Sequence, residues 1–477
     1  MITRAKLAAA LLVVVAACAV NPATGEREFS LVSEAQEIQM GREADPQITA
    51  SLGLVDDPAL QAYVSDLGLR LAAVSERPNL PWSFKVVDDP IVNAFALPGG
   101  FIYVTRGILV QFDSEAELAG VLGHEIGHVT ARHTASQMSR QQLQQLGLGV
   151  GMIFSETVRE YGGLAAAGFQ LMNLSYSRGD ETQSDELGLR YISRLEYDPE
   201  AMIGVFEMLA DVGGGGEGRI PEWQLTHPYP ENREANIRQE IAETGIATGG
   251  RVARDTYLDR IDGLAYGEDP RQGFFRDARF LHPDLAFELT FPAGWNTVNQ
   301  RTLVAAVAPG ETAVVVLEVV PEADAPETEL REFLSQQGIT GGPIREEAAV
   351  GVEVARATFD ATTTDAALSG EIAFARRGDV AYRILGYANR PDWRGHAAAV
   401  ASTISSFRRL DDPAALAVQP WRIDIVTLPS AMSLTTYVQG NPGPVEVDVL
   451  ARLNRVDAGA VLSAGTRIKR VVGSPLP

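Results

Sequence analysis

Ser114-Glu-Ala-Glu-Leu-Ala-Gly-Val-Leu-Gly-His-Glu-Ile-Gly-His128 is the stretch whose reading decides the fold. Ser114 and Glu117 have capping-box spacing, which starts a helix there. Leu118, Val121, Leu122, Ile126 and Val129 then form its apolar stripe. His124 and His128 are four residues apart, one turn along the same face. Two neutral imidazoles placed so can bind one Zn²⁺, with Glu125 beside them as general base. Gly120, Gly123 and Gly127 each cost the helix about 1 kcal/mol against Ala. Such a cost points to another element packed close against this helix.

A catalytic zinc ordinarily takes three protein ligands and keeps one position for water. Glu181, in Ser177-Arg-Gly-Asp-Glu-Thr-Gln-Ser-Asp185, is the best candidate for the third; the alternative is a solvated helix carboxylate. Asp185 lies one turn further along the same face, where it can accept the N–H of a ligand histidine and fix its tautomer.

Upstream, Glu28 to Arg77 reads as helical, with starts at Ser33 and Pro58. Trp82 to Val87 reads as a strand. Asn93 to Leu97, the turn Pro98-Gly-Gly100 and Phe101 to Thr105 read as a hairpin. Downstream, Gln141 to Ser175 and residues 178–195 read as helical, and Pro199 opens another helix. Thr226-His-Pro-Tyr-Pro230 is a rigid turn before a last helix from about Glu231.

With these pieces in order, the chain resembles the HtpX-like and CAAX-prenyl-protease-like gluzincin metallopeptidases. The matching residues are Asn93-Ala-Phe-Ala-Leu-Pro-Gly-Gly100, His124 to His128 with Arg132-His133, Ser177-Arg178 with Glu181 and Asp185, and Thr226-His-Pro228 with Arg233. The resemblance covers about Asn21 to Ile241. It implies a mainly α zincin domain with His124, His128 and Glu181 on zinc and Glu125 catalytic. It also implies that the strand carrying Asn93, Ala94 and Phe95 is the edge on which an extended substrate pairs. His227 or Arg233 is then placed to stabilise an oxyanion, and His227 to cap the metal in a latent state. His133 is expected to be structural.

The amino terminus reads as a signal peptide over 1–17, a charged start followed by the apolar run Leu7 to Ala17. Val15-Ala-Ala-Cys18 resembles a bacterial lipobox, so Cys18 is the expected lipidation site and 18–27 a tether. Ala19 after it favours the outer membrane, by analogy with lipoprotein sorting. Cys18 is the sole cysteine, which excludes an intramolecular disulfide. Net charge of −22 argues against nucleic acid as a partner, and 45% hydrophobic residues support a substantial core.

The expected organisation is multidomain: a metallopeptidase domain over 28–246, a Gly- and Asp-rich linker over 247–279, an α+β domain over 280–410, and a small α+β module over 414–477. Phe287-Glu-Leu-Thr-Phe-Pro-Ala-Gly-Trp295 is similar to the opening of PsbP-like domains. Asn454-Arg-Val with Leu462 to Lys469 resembles the end of a LysM module, although Ser430-Ala-Met-Ser433 replaces the expected start. Peptidoglycan is therefore a candidate partner besides protein substrates and the membrane. Two rival readings are a chaperone-like protein with a closed zinc site and a wall-binding scaffold. The intact Glu125 favours an enzyme.

Overall fold

The computed structural model describes residues 18–147, 175–214, 223, 226, 227, 233–320, 323–349, 352–362 and 367–477. The expected signal peptide, part of the Gln141–Ser175 helix and the turn from Pro228 to Pro230 lie outside the described residues. Two compact units result: Met1–Glu268 with Trp421–Val472, and Asp269–Pro420 with Gly473–Pro477.

In the first unit, helices α1 (Glu34–Leu52) and α2 (Pro58–Ala73) start where Ser33 and Asp57 cap them. Strands β1 (Ser83–Val87), β2 (Ala94–Leu97) and β3 (Phe101–Thr105) form a sheet in the order β1-β3-β2. The expected hairpin is there, Ala94 opposite Val104, but β1 adds to β3 in parallel and makes the sheet mixed. Helix α3 (Glu115–Thr130) follows and is buried along its whole length. Ser114 accepts from the Glu117 N–H, but the Glu117 carboxylate turns to the Asp113 N–H, so only half of the capping box forms. After α4 (His133–Gly147) come α5 (Arg178–Arg194), α6 (Ala201–Gly214) and α7 (Arg233–Thr244).

The glycines of α3 do what their helix cost suggested. A Cβ on Gly123 would lie 3.2 Å from the Gly188 backbone of α5, and one on Gly127 3.0 Å from Ser184 O. With no side chains between them, α3 and α5 meet backbone to backbone. That contact sets the histidines of one helix beside the carboxylates of the other.

Two expectations about organisation need correction. The segment expected as a linker is ordered: Arg254–Ile261 is a helix whose Tyr257, Leu258 and Ile261 are buried. Its eight residues are too few for a periodic signal among so many Gly and Asp. The carboxy-terminal segment, expected as a module of its own over 414–477, belongs to the first unit over Trp421–Val472. Its strands Trp421–Thr427 and Arg467–Val472 pair antiparallel, with helices Leu434–Gly440 and Val447–Asn454 between them. Trp421–Thr427 also pairs with Ala265–Tyr266, and Ile423, Leu434, Leu450, Leu453 and Ile468 join the hydrophobic core that contains α3. A segment this small buries little on its own, so sharing a larger core is the stable solution.

The second unit is sheet-rich. Among the described residues its main sheet is antiparallel and runs Asn296–Asn299, Leu303–Val307, Ala313–Val320, Val380–Asn389, Ala367–Arg377, Val352–Thr362, Ile339–Gly341. Helices Pro326–Ser335 and Arg390–Ser405 pack on it. The apolar runs 286–291, 302–308, 313–320, 371–376 and 380–387 read as strands and 327–337 and 392–404 as helices, and each has a counterpart here, while Asn296–Asn299, Ile339–Gly341 and Val352–Thr362 are strands that the sequence pattern does not announce. No helix of the described residues is long and apolar enough to cross a membrane.

Candidate metal centre

Helix α3 supplies His124, Glu125 and His128; α5 supplies Glu181 and Asp185; His227 lies just before α7, which supplies Arg233. All seven are buried. One ligand atom from each of His124, His128, Glu181 and His227 lies within 4.8 Å of the others, a group able to hold a metal ion.

The ring nitrogens are assigned by their partners. His124 Nδ1 is 2.9 Å from Asp185 Oδ1, so it donates there and leaves Nε2 free as a ligand. His128 Nδ1 is 3.0 Å from His133 Nδ1, and His133 Nε2 is 2.8 Å from Gln183 Oε1. A consistent relay follows: His133 donates to Gln183, accepts from His128, and leaves His128 Nε2 facing the centre. His133 is thus a support of the site. Its signal was visible at five residues past His128, but only the fold brings Gln183 to its other nitrogen.

Ligand atoms at 2.0–2.2 Å from a tetrahedral zinc lie about 3.4 Å apart. Here His124 Nε2 to His128 Nε2 is 3.0 Å, and His128 Nε2 to Glu181 Oε1 is 3.4 Å. His227 Nδ1 stands 3.4 Å from His124 Nε2 and 2.9 Å from Glu181 Oε1. Burial holds His124 and His128 below their ordinary pKa, in the neutral form a metal needs. Burial would raise Glu181, but the facing His227, His128 and His124 outweigh it and keep it well below the usual range. Both Glu125 oxygens are buried with no hydrogen-bond partner among the described residues. An uncompensated carboxylate in such a place is costly, and a neighbouring dication would relieve it. The donor set, its spacing and the orphaned carboxylate all fit zinc.

Glu125 is pushed up to about 8, by burial first and by Glu181 second, with His227 opposing. Burial would depress His227, yet Glu181 and Glu125 outweigh it and raise its pKa. Its Nε2 is 3.6 Å from Glu125 Oε1. Arg233 Nε and Nη2 hold Asp185 at 2.9 and 2.5 Å, and Nη1 is 3.1 Å from Glu181 Oε2. Arg233 therefore braces both carboxylates of α5.

Two aromatic residues complete the site without having been picked out from the sequence. Tyr176 stacks on His128 at 3.8 Å and Trp223 on His227 at 4.2 Å. Tyr176 lies one residue before the Ser177 cap, and Trp223 four residues before His227, so spacing was the only signal either carried.

The substrate-side residues lie on the neighbouring sheet. β2 occupies an edge, and Ala94 and Phe95 are buried. Asn93 precedes the strand; its backbone pairs with Thr105, while its Oδ1 is buried without a partner among the described residues. Cys18 is far from all of these in sequence, in a strand Cys18–Val20 paired with Arg27–Phe29.

Comparison with known proteins agrees in extent with this centre. Residues 58–241 match the model of Peptidase family M48. The chain is 34% identical over 226 residues to the beta-barrel assembly-enhancing protease of Escherichia coli, covering 46% of each chain. It is 31% identical over 240 residues to the mitochondrial metalloendopeptidase OMA1 of Schizosaccharomyces pombe, covering 47% of this chain and 67% of that one. The chain spans about half the length of the assembly-enhancing proteases it matches. Among solved structures, the cyanobacterial PsbP of Synechocystis aligns with 28% of this chain and 91% of its own at 12% identity, with a TM-score of 0.23, too low to assign a fold. With its match over the helical unit and its similarity to named metalloendopeptidases, the chain belongs to peptidase family M48.

Proposed function

We propose that this protein is a zinc-dependent endopeptidase of the bacterial cell envelope that hydrolyses peptide bonds of misfolded or misassembled envelope proteins. One observation carries the reading: His124, His128 and Glu181 converge within ligand distance of one another while Glu125 stands beside them, buried and without a hydrogen-bond partner among the described residues. Zinc bound there would polarise a scissile carbonyl and acidify a water. Glu125 takes the proton and delivers it to the leaving amine. An extended peptide adds to the β2 edge, next to Asn93, whose buried side-chain oxygen has no partner among the described residues. Arg233, already engaged with Asp185, holds the ligands in place rather than meeting a developing oxyanion. The envelope setting and the misassembled substrates are drawn from the resemblance to proteases named for enhancing beta-barrel assembly.

A latent form of the same enzyme is favoured by one further observation. His227 occupies the fourth place around the cluster, 2.9 Å from Glu181, where a catalytic zinc would keep its water. His227 would have to leave before a substrate is hydrolysed. Acyl chains on Cys18 are proposed to hold the protein to the outer membrane; metabolic labelling with a fatty acid, lost in Cys18→Ser, tests that. Peptidoglycan contact through 421–472 is a proposal on the β-α-α-β order of that segment, tested by sedimentation of the full chain with purified cell wall.

The deciding experiment measures bound zinc and casein cleavage for wild type, Glu125→Gln and His227→Ala. The expected result is zinc in all three, no cleavage by Glu125→Gln, and faster cleavage by His227→Ala. Zinc in wild type and His227→Ala with cleavage by neither would replace the peptidase reading with a binding one.

A further inference from the structure

Helix α3 carries the metal-binding histidines, yet its first turn is electrostatically awkward. Glu117 is buried there, and so are the carbonyls of the loop that leads into it. The groups that satisfy them come from more than three hundred residues away. Arg455 Nη1 and Nη2 grip the Glu117 carboxylate at 2.6 and 3.0 Å, and Nη2 also reaches Gln111 O at 3.4 Å. Lys469, fully buried, donates to Val110 O, Gln111 O and Phe112 O at 3.1–3.3 Å and pairs with Asp113 at 3.0 Å.

These two cations form one rigid piece. Arg455 is the residue that ends helix Val447–Asn454, held at φ 50°. The preceding Asn454 accepts from Lys469 N–H at 2.8 Å and donates to Lys469 O at 2.7 Å. Helix end and strand are thus tied side chain to backbone, and the amide cannot turn without breaking both contacts. Two points of contact, one on the entering loop and one inside the first turn, fix both the axial position and the rotation of α3. His124 lies seven residues, about two turns, beyond Glu117 on the same helix. With glycines at three positions, the face of α3 toward α5 and α6 has few interlocking side chains to resist sliding.

We propose that residues 421–472 are a positioning clamp for the metal helix, with Arg455 and Lys469 as the positioning residues that keep His124 and His128 in register with Glu181. The inference rests on the zinc reading only for what is positioned.

The test uses full-length Arg455→Met and Lys469→Met, with Arg452→Met, an exposed cation on the same helix, as control. Zinc affinity is read by competition with a chromophoric chelator, alongside kcat, KM and thermal unfolding. Each clamp variant should bind zinc about tenfold more weakly, the low end of what losing an outer support of a metal ligand costs. It should also lose kcat with little change in KM, while the control matches wild type. Arg455→Met leaves the buried Glu117 without its counter-ion, so Glu117→Gln is added in a second variant to remove the stranded charge. That double variant should regain melting temperature without regaining zinc affinity. Wild-type zinc affinity in folded clamp variants, or affinity and stability recovering together in the double variant, would overturn the clamp. If the wild type binds zinc but cleaves nothing, the peptidase reading falls and the clamp is still decided by zinc affinity.

Discussion

Replacing Gly188 by Ala separates two effects of opposite sign. Gly188 sits inside α5, where Ala favours the helix by about 1 kcal/mol. If the glycine were incidental, Gly188→Ala would stabilise the protein. Its added Cβ, however, would stand 2.9 Å from His124 N, 3.1 Å from Gly123 C and 3.2 Å from His124 Cα. Unstrained contact needs about 3.5–4.0 Å. All three neighbours are backbone, so none can rotate aside, and α3 and α5 must part by about half an ångström. Overpacking of this kind costs about 1–3 kcal/mol, which offsets or exceeds the helix gain. The metal centre is hit harder, since its ligands are split between the two helices and tolerate only about 0.2 Å in bond length. Zinc should bind about 10- to 100-fold more weakly, read by chelator competition, with little rise in the melting temperature of the apoprotein. Gly120→Ala is the comparison: its Cβ would meet Met202 Cγ at 3.0 Å, a side chain that can swing away, so zinc affinity should hold. A stabilised apoprotein with unchanged zinc affinity in Gly188→Ala would refute the close-packing argument.

Other consequences can be checked in parallel. Arg233→Met strands Asp185 and part of Glu181 in the core, a loss of about 3–5 kcal/mol. At about 2 °C per kcal/mol the melting temperature should fall by about 6–10 °C; Arg233→Lys should not rescue it, because one ammonium cannot match two bonds to Asp185. Melting within a degree of wild type would contradict that role. In the second unit, burial lowers His282 to about 4, and its Nδ1 accepts the Leu285 N–H, which also requires a neutral ring. The unfolded chain binds a proton there from about pH 6.5 downward while the folded one does not, so this contribution is full above 6.5 and declines toward pH 4. Urea unfolding of that unit should show this slope, and His282→Asn should flatten it; an unchanged slope would assign it elsewhere.

Much of the metal centre was legible because helical spacing converts directly into geometry. His124, Glu125 and His128 lie within five residues, and Glu181 with Asp185 repeats the same one-turn logic on α5. Some strands of the second unit, such as Ala313–Val320 and Val380–Asn389, are legible for a similar reason, since apolar runs bounded by turns need no partner to be recognised, whereas Val352–Thr362, with charged and polar residues along it, is not. The supports were not. His133 meets Gln183 across fifty residues, and Trp223 reaches the site by stacking on His227 and lying against His124. Burial alone does not mark such residues, because the chain holds many others like them. The helix at 254–261 is too short to announce itself, and the carboxy-terminal segment reads as a separate module because its own pattern is self-consistent.

What the sequence determined by itself is the local chemistry: which side chains share a helix face, where Ser114 and Ser177 start their helices, and which residues are able to bind a metal. Only the tertiary structure decided that Glu181 faces His124, that His227 closes the cluster, and that Arg455 and Lys469 hold the start of α3. The physical reason is range. A helix repeats every 3.6 residues and so reports itself within a short window. Charge pairing and backbone contact between distant elements depend on how whole helices pack, which no spacing along the chain encodes.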